Sequence, residues 1–171
     1  MAPQPPGMFD QTAEAAFRAT VFPPRDAAEN IRRGLAAVDQ SITKAMRGGP
    51  GVVHQAMYRD DVGSITIIWG KPGDPTNRYS GGAGLSHIIA KHGAEAVEPV
   101  LETIARSGKV KRVVFKNKDR RVLRHGSHEV ILDLRMYGKR MTWLLTGYKI
   151  GPDTDIPTNL DRIPGPFFFR P

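Results

Sequence analysis

The sequence predicts an α+β fold in which N-terminal helices pack against an antiparallel sheet. Three observations carry this. Helical stripes run over Asp26–Met46 and Ala94–Ser107, the periodicity changes to two from Lys109 onward, and one long hairpin separates an apolar face from a polar one. The 171 residues suffice for one domain, or one domain with an appendage, and for a real core. Without cysteine there is no disulfide framework and no thiolate metal site. No run approaches the roughly 18 apolar residues of a membrane span, and Met1–Gly7 has the features of no secretory signal.

Taken in order, proline-rich Met1–Gly7 is expected outside the fold, and alanine-rich Gln11–Thr20 as a short helix. After Pro23-Pro24 a longer helix follows, with Ile31, Leu35, Val38, Ile42 and Met46 on its packing face. Arg47-Gly48-Gly49-Pro50-Gly51 ends it. Expected divisions are a helical N-terminal region or linker over 1–61, a functional domain over 62–150 and a Pro-rich tail over 151–171. Val62–Gly70 alternates as a strand. A polar loop leads to Gly81-Gly82-Ala83-Gly84 and a short helix through Ser86, His87, Lys91 and His92, with Ser86 as cap and Gly93 as stop. The next helix sets Val97, Leu101, Ile104 and Ala105 on one side, and Gly108 caps it.

Two strands, Val110–Phe115 and Arg121–Arg124, are joined by a turn over 116–120. The strongest hairpin joins Glu129–Tyr137 to Arg140–Lys149 through Gly138-Lys139. That turn pairs Tyr137 with Arg140, Arg135 with Thr142 and Ile131 with Thr146. One face then carries Val130, Leu132, Leu134, Met136, Met141, Trp143, Leu145 and Gly147 for helices to cover. The other carries Glu129, Asp133, Arg135, Thr142, Thr146 and Tyr148, with Ile131 and Leu144 among them, a platform for a polar ligand. The tail holds Phe167-Phe168-Phe169, a hydrophobic clasp or a surface for a partner.

The formal charge is +8, and its distribution matters more than its size. Lys109–His125 holds eight basic residues against the single acid Asp119, a net +7, which leaves +1 for the rest. Such concentration is the footprint of a polyanion-binding protein, or a solvated basic face that meets an acidic protein. Gly82-Ala83-Gly84 is no dinucleotide fingerprint, because His87 stands where a third glycine belongs. His87 and His92 are five apart, not the four that align two metal ligands, and His128-Glu129 lacks a histidine at 132. No metal and no other cofactor is expected. His87 and Lys91 share a helix face, whereas His92 leans toward the packed side.

Trp69-Gly70 at a strand end, Gly82-Ala83-Gly84-Leu85-Ser86-His87-Ile88-Ile89-Ala90-Lys91-His92, the helix to Gly108 and the strand Trp143–Tyr148 together resemble the phage-associated branch of the barnase, EndoU, colicin and RelE-like nucleases. The resemblance covers roughly 62–149. It implies helices on a four-stranded antiparallel sheet, metal-independent cleavage of RNA, and a toxin module secreted or carried by phage into a target cell. On it, the histidine helix maps to His87, Lys91 and His92, the basic strand position to Arg121 or Arg124, and the terminal-strand hydroxyl to Thr146.

The chemistry is coherent, because RNA carries its own nucleophile and needs only a base, an acid and cations for the phosphorane. Expected catalytic residues are His87, Lys91, His92, Arg124 and Thr146, with His87 as base or acid and His92 as scaffold. Expected substrate contacts are Arg112, Lys116, Arg121, Arg135 and Tyr148. Expected partners are RNA and an acidic inhibitor, or immunity, protein. The rival class is a basic module that binds nucleic acid without cutting it, and a third is a DNA-directed nuclease. One geometric difficulty follows: a helix on the apolar face meets Thr146 only around a sheet edge, or with the register shifted by one.

Overall fold

The computed structural model describes residues 23–150. The expected helix over 11–20, the start over 1–7 and the tail over 151–171 lie outside the described residues. Helix α1 (Ala27–Met46) starts at Asp26, whose carboxylate accepts the Glu29 N–H at 2.8 Å. Its buried face is Asn30, Gly34, Ala37, Val38 and Ser41, while Ile31, Leu35 and Ile42 are half-buried and Met46 is 83% exposed. The expected stripe is thus rotated. Gly34 lets the helix approach so closely that a Cβ there would stand 2.8 Å from Met57 Sδ. The polar members find backbone partners. Asn30 donates to the Tyr58 carbonyl at 2.7 Å and accepts the Tyr58 N–H at 3.0 Å, and the Ser41 hydroxyl donates to the Gly51 carbonyl at 2.6 Å.

The sheet has six strands, β1 (Val53–Arg59), β2 (Gly63–Ile67), β3 (Lys111–Phe115), β4 (Lys118–His125), β5 (His128–Met136) and β6 (Lys139–Lys149), in the order β1-β2-β6-β5-β4-β3. This corrects the four-stranded antiparallel expectation twice over. The α+β class holds, but the sheet is mixed, because β2 runs parallel to β6. Strand β1 escapes a period-two reading because a register shift lies between Val53 and Met57, with Gln55 at φ 53°.

The β3–β4 and β5–β6 hairpins each turn through two residues at positive φ, Lys116-Asn117 (48° and 63°) and Tyr137-Gly138 (51° and 76°). The turns expected at 116–120 and 138–139 are corrected accordingly. Met136 therefore faces Lys139 and Arg135 faces Arg140. Two irregularities, each adding one residue to β6, then restore the expected pairs Ile131↔Thr146 and Glu129↔Tyr148. Between turn and restoration the faces exchange. Trp143, Leu145 and Met136 join Val122 and Ile131 on the face away from the helices, while Leu144 joins Val130, Leu132 and Leu123 beneath them.

Helix α2 (Leu85–His92) is followed by a 3₁₀ turn, Ala94–Ala96, and helix α3 (Val97–Arg106). In α3, Val100, Leu101 and Ile104 are wholly buried, each contributing about 1.5–3 kcal/mol. Its cap is Ser107 rather than Gly108. The carbonyls of Ile104, Ser107 and Gly108 all accept from the Arg59 guanidinium, at 2.9, 3.0 and 2.7 Å, and Asp61 holds that guanidinium in place. Among the described residues no helix is long and apolar enough to cross a membrane.

Candidate active site

Strands β2 and β6 meet at one register pair, Thr66↔Trp143, and α2 begins beside that pair. The N–H groups of Gly84, Leu85 and Ser86 donate to the carbonyls of Leu145 (2.9 Å), Ile68 (3.0 Å) and Trp69 (2.9 Å). The donors that a helix start leaves unpaired are thus taken by β6 and by the chain leaving β2. The N-cap is Gly84 at φ 82°, where a Cβ would stand 2.8 Å from the Ile68 carbonyl oxygen; Ser86, expected as cap, is buried inside the helix. Gly93 ends the helix at φ 87°, as expected. There the His92 ring stacks on Tyr148, with centroids 6.1 Å apart and planes at 29°. Helix α2 therefore runs along the edge of β6 from Leu145 to Tyr148. That placement removes the geometric difficulty, because a helix at a strand edge reaches both faces.

The His87 ring is wholly buried and its Nδ1 lies 3.0 Å from the Pro72 carbonyl. A carbonyl only accepts, so Nδ1 carries the proton. Burial pushes the His87 pKa below its ordinary value, the Pro72 bond opposes this, and the Lys91 charge adds to it. The contact pins a loop whose ends are tied by paired bonds between Lys71 and Ala83. Gly82 flanks it so tightly that a Cβ would lie 2.2 Å from His87 Nδ1 and 2.3 Å from the Pro72 oxygen. Gly82→Ala is accordingly expected to force these groups apart and cost about 1–3 kcal/mol, read as a lower denaturation midpoint. An unchanged midpoint would mean that the loop is not clamped here.

Lys91 and His92 are half-buried. Burial lowers the Lys91 pKa, helped by the positive charge of Arg78. His92 is lowered to about 4 by burial first, then by the charges of Lys91 and His87. Behind His92, the Tyr148 hydroxyl donates to Glu129 Oε1 at 2.5 Å, and Arg124 Nε donates to Glu129 Oε2 at 2.5 Å. Burial and the Glu129 charge hold the Tyr148 hydroxyl protonated, well above its ordinary range. Glu129 is 1% exposed, whereas the Arg124 side chain is 33% exposed. The result is a row, Arg124–Glu129–Tyr148–His92, that crosses three strands and ends on α2. The hydroxyls of Thr146, on the same strand as Tyr148, and of Ser86 are buried and have no hydrogen-bond partner among the described residues.

Of the expected set, the structure thus links Arg124, Tyr148 and His92 in one row, with His87 and Lys91 on the same helix as His92 and Thr146 two residues before Tyr148 on β6. The others lie apart. Arg121 faces the helix side of β4, three residues from Arg124 on a regular strand, and it bonds Asp119. Arg112, opposite Arg121 on β3, bonds the same carboxylate at 3.1 Å. Lys116 sits in the hairpin turn, about 20 Å along the strands from Arg124 at roughly 3.3 Å per residue. Arg135 is exposed near the Tyr137 turn. Two residues were missed. Glu129 was legible as an acid opposite Tyr148 in the expected register; Arg78 had no sequence signal. Among the described residues no three His, Asp or Glu side chains gather as metal ligands.

The family model of the phage-Barnase-EndoU-ColicinE5/D-RelE like nuclease 1 matches residues 56–153, more than half of the chain. No curated protein and no solved structure matches it. The matched span includes α2 and every strand of the Arg124–His92 row.

Proposed function

The chain belongs to that family of nucleases, and from this premise we propose that it is an endoribonuclease working without a metal. The 2′-hydroxyl attacks the adjacent phosphorus, the bond to the 5′-oxygen breaks, and the products carry a 2′,3′-cyclic phosphate and a 5′-hydroxyl. The observation that carries this reading is the His92 imidazole, uncharged near neutrality, stacked on Tyr148 beside Lys91. His92 takes the 2′-hydroxyl proton, and an anionic phosphate beside it raises its pKa toward neutrality. The Lys91 ammonium stabilises the phosphorane and, with its lowered pKa, supplies a proton to the departing oxygen. Arg124 orients the phosphate, Thr146 is the remaining hydroxyl donor on the strand, and His87 positions the loop rather than the reacting atoms.

Incubation with an RNA oligonucleotide in EDTA tests it. Cleavage to cyclic-phosphate ends is expected, with the same sequence as DNA left intact. RNA bound but uncut would favour the binding module instead, and equal cutting of DNA would exclude the 2′-hydroxyl route. The same reading makes the chain a toxin module acting in a target cell's cytoplasm, held in check by an acidic inhibitor. The basic β3–β4 hairpin supports it as the docking surface. Expression alone in a bacterium is expected to arrest growth, and normal growth from a folded product counts against the toxin role.

A further inference from the structure

A cleft of about 860 Å³ opens on the sheet face away from the helices, between the Tyr137-Gly138 turn, the Asn117 turn and the loop from Lys71 to Ala83. Its floor is apolar, with Trp143, Met136, Ile68 and Ala83. The indole is fixed there by a 2.7 Å bond from Nε1 to the Arg135 carbonyl. The two acids on the wall are already engaged, Asp119 by Arg112 and Arg121 and Asp133 by Arg120. The cations on the rim are not. Lys71, Lys118 and Arg135 are exposed and make no ion pair among the described residues. An apolar floor under a positive rim suits a flat ring with phosphates on either side.

Tyr137 supplies an independent sign. It is 94% exposed at φ 51°, in a turn position where asparagine, aspartate or glycine fits without strain. The fold gains nothing from this ring, which buries nothing and strains the backbone. An exposed aromatic held at the mouth of a positive cleft is a stacking platform for a base. Trp143 lies five residues before Tyr148 on β6, about 16 Å away at roughly 3.3 Å per residue. That is a few nucleotides along one strand.

We infer that this cleft is a nucleobase subsite: Tyr137 stacks on a base of a single strand whose flanking phosphates lie on Lys71 and Lys118, while the scissile phosphate lies at His92. The subsite rests on the proposed action on a nucleic-acid strand and extends that site along the strand.

The test uses the full chain carrying His92→Ala, so that binding is measured without cleavage. A single-stranded RNA octamer and a dinucleotide are the probes. Adding Tyr137→Asn is expected to raise Tm, because the turn is relieved, yet weaken octamer binding about tenfold and leave the dinucleotide unchanged. Lys118→Ala is expected to reduce the salt slope of octamer binding by about 0.7. Octamer binding unaltered by Tyr137→Asn, or dinucleotide binding weakened equally, overturns the subsite. Tyr137-dependent octamer binding by a protein that with His92 intact cuts no RNA would leave the subsite standing and sink the nuclease mechanism. Normal cutting with Tyr137-independent binding sinks the subsite alone.

Discussion

Replacing His92 by alanine is expected to lower the rate of the proposed RNA cleavage by about 10²–10⁴-fold, the range for a positioned general base. The fold should survive, since the loss is one half-buried ring and its stack on Tyr148. The pH dependence gives the sharper reading. In the free enzyme His92 is protonated only below about 4, so kcat/KM should rise with pH through that region and flatten toward neutrality. Stability should follow the same sign. Between about 4 and the ordinary histidine value of 6.5 the unfolded chain holds a proton on this residue that the folded chain does not, so stability rises with pH across that window. His92→Gln removes the rate trend and shrinks the stability trend, of which the shares of His87 and His128, both also lowered by burial, remain. His87→Ala should instead act mainly on stability, through loss of the Pro72 contact, with the acid limb of the rate profile unmoved. If His87→Ala abolishes that limb and His92→Gln leaves it intact, the two roles are reversed.

Much of this site was readable from the chain, and what was not has physical causes. The glycine-histidine segment announced a short helix because Gly84 and Gly93 occupy positive-φ positions at its two ends. The far half of the last hairpin was readable because Glu129↔Tyr148 and Ile131↔Thr146 follow period two without interruption. Its near half was not. Reading the turn as Gly138-Lys139 assumed that Tyr137 belongs to a strand, and two added residues in β6 then exchanged the faces of Trp143, Leu144 and Leu145. Strand β1 was hidden for the same reason, an irregularity at Gln55 that breaks alternation. Charge pointed to the partner class, but it does not say how the cations are arranged. The densest cations, Arg112 and Arg121, converge on Asp119, and neither Arg121 nor Lys116 shares a strand face and level with Arg124. That His92 stacks on Tyr148 while His87 meets the Pro72 carbonyl was beyond the sequence, because it depends on α2 lying along the β6 edge, a tertiary fact set by where β2 and β6 meet.

Glu129 carries the second large expected effect. Its carboxylate is 1% exposed and its two oxygens are taken by Arg124 and Tyr148 at 2.5 Å each. A buried charge so held is costly to leave half-paired, and removing one partner of such a pair typically costs about 3–5 kcal/mol. Here the guanidinium is a third exposed and recovers hydration, so Glu129→Ala should cost toward the lower end, about 3 kcal/mol in denaturant unfolding. Arg124→Ala is expected to cost as much or more, because the charge it strands is the deeper one. Tyr148→Phe removes only one bond to the carboxylate, for about 1.5–3 kcal/mol. The double variant Arg124→Ala/Glu129→Ala should be less destabilised than the sum of the singles, since the second deletion strands no charge. Strict additivity would mean that the row is not coupled. Cleavage should fall in the same series even where the fold is restored by working well below Tm. Both Tyr148→Phe and Glu129→Ala leave a ring stacked under His92 without its anchor, but Glu129→Ala also releases Arg124, the residue proposed to orient the phosphate, so it should lose more rate than Tyr148→Phe.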